Sequence, residues 1–203
     1  MLPEVRAAHL GDVSGIASML GRAFRDDPVS HFLFPLPGDR AAKLSSFFAL
    51  QLRHQYLPRG EVYTVRDWLG ASLWIPPRPR PMRPKDAFAQ LTLVRIMWGR
   101  FREARRLALI LAAHHPKVAH FYLATIGVEP RLQHQGLGSA LMVPVLVRCD
   151  ETDTPAYLEC SKEENIPLYR KHGFVVTEDL QIPGGPRIWL MWRAPTNTAR
   201  KDG

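Results

Sequence analysis

The chain's 203 residues, 46% hydrophobic and 23% charged, have the balance of one globular domain and exclude a disordered or fibrous protein. A chain of this length buries roughly 70% of the surface it exposes when unfolded. With 27 Lys and Arg against 19 Asp and Glu the net charge is +8, which directs attention to anionic partners: nucleic acid, phosphorylated cofactors or acidic membranes. Between Arg78 and Arg106 nine basic residues face only Asp86 and Glu103, so +7 of the +8 falls in that stretch. Two cysteines, Cys149 and Cys160, are too few for a disulfide framework, and no secretory leader is read ahead of Pro3, so a cytoplasmic setting is expected. No apolar run approaches the roughly eighteen residues of a membrane span, because Arg100 to Arg106 interrupts the most apolar region, and no membrane partner is expected.

In chain order, Pro3 to Ala8 reads as a short strand, and Asp12 is a candidate N-cap for a helix carrying Ile16, Met19, Leu20 and Phe24. Asp26-Asp27-Pro28 ends that helix. Leu44, Phe47, Phe48, Leu52 and Tyr56 predict a second helix that closes at Pro58 and Gly60. Glu61 to Arg66 and Leu69 to Ile75, turning near Asp67, predict a hairpin. Pro76, Pro77, Pro79, Pro81 and Pro84 make a stiff connection, followed by two amphipathic helices up to His115-Pro116. There Arg95, Arg102 and Arg106 recur at near-helical spacing opposite apolar stripes, which reads as a solvated face over a buried one.

From His120 the pattern changes. Phe121 to Val128 is a nearly continuous apolar run, as a central strand covered on both faces requires, and Glu129-Pro130 stops it. A helix follows from Gly136 through Leu141, Val145 and Leu146, with Pro144 expected to kink it. Tyr157 to Ser161 predicts a short buried strand, Ile166 to His172 a helix, and Phe174 to Gln181 with Ile188 to Arg193 a final hairpin around Pro183-Gly184-Gly185-Pro186. Residues 1–195 are expected to form one domain and 196–203 a disordered tail.

The run Gln133-His134-Gln135-Gly136-Leu137-Gly138 lies between a buried strand and a helix. Its glycines permit close backbone approach, and the helix N-terminus presents unpaired N–H groups to an anion, so a phosphate or pyrophosphate is the natural ligand. A dinucleotide fingerprint would need Gly or Ala where Leu141 stands, and the Gly-Lys-Ser/Thr of a nucleotide P-loop is absent.

With Gln133, Gly136 and Gly138 in this arrangement, the chain resembles the GCN5-related N-acetyltransferase superfamily, whose acyl-CoA loop reads Q/R-x-x-G-x-G/A after the fourth strand. A second block, Asn165-Ile166-Pro167-Leu168-Tyr169-Arg170-Lys171-His172-Gly173-Phe174, is similar to that superfamily's N-x-x-x-Y-x-x-x-G-F segment. Across residues 118–193, from Tyr122-Leu123-Ala124-Thr125-Ile126-Gly127-Val128 to Trp189-Leu190-Met191-Trp192-Arg193, the wording is similar to the puromycin N-acetyltransferase-like branch. The first hundred residues match only loosely, and puromycin itself is not implied.

The resemblance implies an α/β (α+β) fold: a central mixed, twisted sheet of about seven strands with helices on both faces and the fourth and fifth strands splayed apart. It implies acetyl-CoA as acyl donor, a small-molecule or peptide amine as acceptor, a monomer or homodimer, no metal, and direct attack in a ternary complex. Ile126, Gly127 and Val128 would pair with the pantetheine arm, an N–H near Ile126 serving as oxyanion donor. Gln133, His134, Gln135, Gly136, Leu137, Gly138 and Ser139 would hold the pyrophosphate, and Asn165 the pantetheine chain. Tyr169 would be the general acid to the leaving thiolate, since a phenol of ordinary pKa near about 10 can donate to a thiolate.

For the base, the sequence offers Glu159 on the fifth strand and His120 at the head of the fourth. Strand alternation places His120, Tyr122 and Ala124 on one face, and Glu159 in an otherwise apolar strand calls for polar surroundings. Tyr122 is a candidate substrate contact. Asp26 and Asp27 would suit a cationic amine, or else form a solvated turn. Cys160, on the strand face opposite Glu159, reads as a small buried hydrophobe. The alternative reading is a non-catalytic nucleic-acid-binding domain using residues 78–106 with Phe88, Trp98 and Phe101. No glycine-rich RNA-binding or helix-turn-helix signature accompanies that stretch, so no nucleic acid partner is expected.

Overall fold

A computed structural model describes residues 4–78 and 99–196. The first of the two helices expected after the prolines, and the polar tail beyond residue 196, lie outside the described residues. Seven strands, β1 (Val5–Ala7), β2 (Glu61–Val65), β3 (Gly70–Ile75), β4 (Phe121–Val128), β5 (Ala156–Cys160), β6 (Val175–Gln181) and β7 (Arg187–Arg193), form one sheet in the order β1-β2-β3-β4-β5-β7-β6. Every neighbouring pair is antiparallel except β4 with β5. The hairpin expected at the end of the chain is present, but β7 threads between β5 and β6, because Ile188, Leu190 and Met191, which lie on both of its faces, are nearly fully buried whereas β6 is mostly exposed, as suits an edge.

The helices are α1 (Val13–Ala23), α2 (Pro28–Leu33), α3 (Arg40–Gln51, prolonged by a π-helical turn over Leu52–Tyr56 and by Leu57–Arg59), α4 (Phe101–His114), α5 (Leu137–Glu151) and α6 (Ile166–Lys171). One face of the sheet packs α5 and α6, through Phe121, Leu123, Leu158 and Cys160 against Met142, Val145, Ile166 and Tyr169. The other face packs α1 and α3 at one end, through Ile16, Leu20, Leu44 and Phe48, and α4 at the other, through Leu107 against Tyr157 and Leu190. Helix α5 continues through Pro144.

One local reading is corrected by the structure and a second is extended. Asp12 does not cap α1 through its side chain. Its backbone is already helical, and its carboxylate takes both Arg6 guanidinium nitrogens (2.8 and 2.7 Å), the His9 N–H (2.9 Å) and the Trp68 indole N–H (2.9 Å). Those donors hold the Asp12 carboxyl well below the ordinary carboxylate range and tie β1, α1 and the β2–β3 connection together. Second, the chain after Asp26-Asp27 re-enters a helix at once: Pro28 is the first residue of α2, where its missing N–H costs nothing, and Asp27 accepts from Val29 and Ser30 N–H groups as its N-cap (2.9 and 3.2 Å).

The feature that positions the site is the seam between β4 and β5. The parallel pair is in register at three positions, Phe121 with Ala156, Tyr122 with Tyr157 and Leu123 with Leu158, and then the strands part. On the other side of β4, Leu73 faces Thr125 and Trp74 faces Leu123, so Ala124 is an extra residue with no counterpart on β3. Such a bulge bends the strand that carries it and resets its alternation. Ala124 packs with the α1–α3 cluster, whereas Ile126 packs on the α5 side, which strict alternation would have forbidden.

Candidate active site

At the end of β4 the chain turns through Pro130–Leu132, and the Gln133 side-chain amide donates back to the Val128 carbonyl (3.3 Å). His134 (φ 62°) and Gly136 (φ 86°) both take left-handed backbone conformations. Gly136 relieves one of these of its steric cost. The first bond back into α5 is from Ala140 N–H to the Gly136 carbonyl (3.0 Å), so the N–H groups of Leu137, Gly138 and Ser139 have no intrahelical acceptor. With the positive end of the helix dipole behind them, they form a place for an anion. A Cβ on Gly138 would lie 3.4 Å from Leu168, so α6 runs beside this helix end. Gln133, His134, Gln135 and Gly136 are exposed, Ser139 and Asn165 half-exposed.

Tyr169 stands on α6, buried, with its ring 6.2 Å from Phe174. The Gly-Phe pair after the helix explains that packing. Gly173 (φ 84°) turns the chain left-handed, which lets the Phe174 N–H reach back to the Tyr169 carbonyl (3.1 Å). Burial pushes the Tyr169 phenol up, with Cys160 and Asp27 adding to the effect, so it keeps its proton at neutral pH. Cys160 is buried on the α5–α6 face, opposite Glu159, and burial raises its thiol to about 11.

Across the seam lies a second polar group. The Glu159 carboxylate accepts from the Tyr122 hydroxyl (2.9 Å) and the Tyr157 hydroxyl (3.2 Å), and His115 Nδ1 lies 3.7 Å from it. Burial, then the Glu159 charge, raises both phenols, so both remain donors. Tyr56, buried at the π-helical turn of α3 and hydrogen-bonded to Thr125, is raised for the same two reasons. His120 donates from Nδ1 to the Val118 carbonyl (2.7 Å), which leaves Nε2 as an acceptor, and burial lowers its pKa. His115 links these residues: its ring centroid is 5.0 Å from His120, 5.1 Å from Tyr122 and 5.0 Å from Tyr157.

The structure therefore brings Glu159, His120 and Tyr122 into one cluster, and adds His115, Tyr157 and Tyr56, which the sequence reading did not single out. Tyr157 was within reach of that reading, being two residues from Glu159 on one strand face. Asp26 and Asp27 part company. Asp26 is exposed, 3.7 Å from His31, beside a cavity of about 520 Å³ that His31, Phe32, Arg100 and Gly185 also line. Asp27 is buried: besides capping α2 it accepts from the Ser161 hydroxyl at the end of β5. Of the basic stretch, Arg100 pairs with Glu103 (3.1 Å) and stacks over Phe32, and Arg106 donates to the Pro183 carbonyl (3.4 Å), while residues 79–98 lie outside the described residues. Among the described residues no helix is long and apolar enough to cross a membrane, and no group of three or more His, Cys, Asp or Glu could hold a metal ion.

The sequence profile described as the Acetyltransferase (GNAT) family matches residues 66–174. An uncharacterised N-acetyltransferase of Schizosaccharomyces pombe is 28% identical over 183 residues, covering 84% of this chain and 74% of that protein. Among solved structures, a histone acetyltransferase HPA2 and related acetyltransferase from Corynebacterium glutamicum is 30% identical, with a TM-score of 0.72, over 97% of this chain and 98% of that one. Arylalkylamine N-acetyltransferase 2 from Aedes aegypti has the same fold at 12% identity (TM-score 0.63, 95% of this chain and 99% of that one). The chain belongs to the GNAT acetyltransferase family and is an acyltransferase.

Proposed function

We propose that this chain moves an acetyl group from acetyl-CoA to a primary amine of a small molecule or peptide, by direct attack within a ternary complex, with a donor half of the puromycin N-acetyltransferase-like kind. The observation that carries this reading is the separation of β4 from β5 after three paired residues, next to the free N–H groups of Leu137, Gly138 and Ser139. The donor set fits acetyl-CoA: a helix end suits its pyrophosphate, and an opened strand edge suits the amides of its pantetheine arm. His134, Gln135, Gly136, Leu137, Gly138 and Ser139, with Gln133, hold the pyrophosphate. Ile126, Gly127 and Val128 offer strand backbone to the arm, the N–H near Ile126 to the acyl oxygen, and Asn165 its amide. Acetyl-CoA supplies the activated acetyl group.

The chain's own residues supply the rest. Tyr169, kept protonated by burial, gives its proton to the departing sulfur. Glu159 takes the proton that the acceptor ammonium must lose. Its two tyrosine hydroxyls fix the carboxylate in place and His120 stands nearby in neutral form. Tyr122, and Asp26 beside its cavity, face the acceptor, and the buried Asp27 holds α2 against β5 near Tyr169.

The test is release of CoA thiol from acetyl-CoA in the presence of a panel of primary amines: aminoglycosides, aminonucleosides, polyamines, amino acids and peptides with free N-termini or lysines. Release that requires an amine supports the reading. Acetyl-CoA binding without amine-dependent release from any member, or salt-sensitive nucleic-acid binding that ignores acetyl-CoA, rejects it.

A further inference from the structure

His115 follows the last residue of α4, at the point where Pro116 turns the chain toward β4, and lies over the outer face of the seam. Its side chain is 35% exposed, whereas that of Glu159 is 13% exposed, so the imidazole is the more solvent-accessible member of the pair. Tyr122 occupies Oε2 of Glu159, while Tyr157 and His115 both approach Oε1. The rings of His120, Tyr122 and Tyr157, all within 5.1 Å of His115 centroid to centroid, leave its plane few alternatives. His115 Nδ1 stands 3.7 Å from Glu159 Oε1, within ion-pair range and longer than a hydrogen bond.

We propose that His115 is a positioning residue for Glu159: imidazole and carboxylate share one proton, and the pair carries a proton taken from the acceptor out to solvent. This rests on Glu159 being the base. In balance, the acceptor ammonium loses a proton to Glu159, the resulting carboxyl O–H passes it to His115 Nδ1, and His115 returns a proton to water from Nε2. Glu159 is then restored, and His115, left with its proton on Nδ1, recovers the accepting tautomer by exchanging that proton for one on Nε2 through solvent water, so no other reactant is required. The groups facing the pair are His120 and Tyr122 from the β4 segment, Tyr157 from β5 and Tyr56 from α3. His114, beside it on α4, is instead 3.6 Å from Glu178 of β6. None of these facing groups is cationic while His120 stays neutral, so the Glu159 charge acts on His115 without a competing positive partner in the cluster.

The experiment follows the His115 ring nitrogens by NMR against pH in the wild type and in Glu159→Gln, with no ligand added. Removing the opposing charge is expected to change the His115 signals so that the neutral imidazole is favoured in the variant. Linkage requires the reciprocal effect, so in His115→Asn the carboxylate carbon signal of Glu159 changes so that the protonated acid is favoured, which decides the matter if Glu159→Gln does not fold. Midpoints that stay fixed in whichever variant folds overturn the proposal. If the His115 midpoint stays fixed while Glu159→Gln alters the pH–rate profile, only the pairing is lost. If that profile is also unchanged, the assignment of Glu159 as base falls with it.

Discussion

The Tyr122 hydroxyl reaches the Glu159 carboxylate at 2.9 Å even though their strands are parting, because Glu159 stands one residue beyond the last paired position, Leu158, and two beyond Tyr157, the residue that faces Tyr122. The tyrosine spans the opening of the seam and steadies the ionised carboxylate. Tyr122→Phe deletes one of its two hydroxyl donors and so favours the protonated acid. The acidic limb of the pH–rate profile for thiol release should then move to higher pH, with the rate on the plateau falling less than tenfold. A limb that does not move places the rate-controlling base elsewhere.

Tyr169→Phe keeps the ring against Phe174 and removes only the proton donor. Turnover should fall by about a hundredfold or more, the usual contribution of a positioned acid, while the acetyl-CoA dissociation constant measured by calorimetry changes by less than about threefold. Unchanged turnover would discard this tyrosine as the acid.

Gly136→Ala puts a Cβ on a residue at φ 86°. The left-handed conformation costs a non-glycine residue about 1–2 kcal/mol, and relief of that strain would re-aim the N–H groups that follow. Acetyl-CoA affinity is expected to weaken by about tenfold or more, with thermal stability reduced at the same time. Gly138→Ala, which meets only Leu168 at ordinary contact distance in the free protein, should leave stability near wild type.

His120 and His172 both have imidazole pKa values lowered by burial. Below the ordinary value near 6.5 the unfolded chain therefore binds protons that the folded chain resists. Stability from this source is complete above that pH and declines as pH falls toward the depressed folded values. The urea midpoint should drop between pH 7 and pH 5, and drop less steeply in His120→Gln. A midpoint equally steep in that variant would remove His120 from the account.

Asp12→Ala strands the Arg6 guanidinium, the His9 N–H and the Trp68 indole together. Because Arg6 and Trp68 are both exposed and their donors can turn to water, a loss of about 1–2 kcal/mol in urea-derived stability is expected. Near-wild-type stability would show that the carboxylate only occupies a junction already fixed by packing.

The strands of the donor half were legible because each writes its burial into its composition. Phe121 to Val128 is apolar on both faces, and the structure covers it on both. The Gly-x-Gly turn could be read for its chemistry because it depends on local backbone conformation. What escaped the sequence depends on distance along the chain. Asp12 looks like a cap until Trp68, 56 residues away, donates to it. His115 looks like the end of a helix until β5 brings Glu159 beneath it. The bulge at Ala124 leaves no compositional mark, yet it decides which face Ile126 joins. Asp26-Asp27-Pro28 follows the end of α1, and the same aspartate followed by proline also writes an N-cap and a first helical residue, a start that a helix-stop reading alone leaves out.

The sheet is continuous through three rungs at its middle, with β1 to β4 on one side and β5 to β7 on the other. Mechanically these are two half-sheets sharing a short hem, and an extended molecule laid into the gap would lengthen that hem by bonding to backbone that β4 and β5 do not offer each other. Amide hydrogens along Thr125 to Val128 that lack a β3 acceptor should exchange fastest in the free protein and slow most on ligation, so the donor's contribution to rigidity would be read where the seam opens and not at the helix end proposed for its charge.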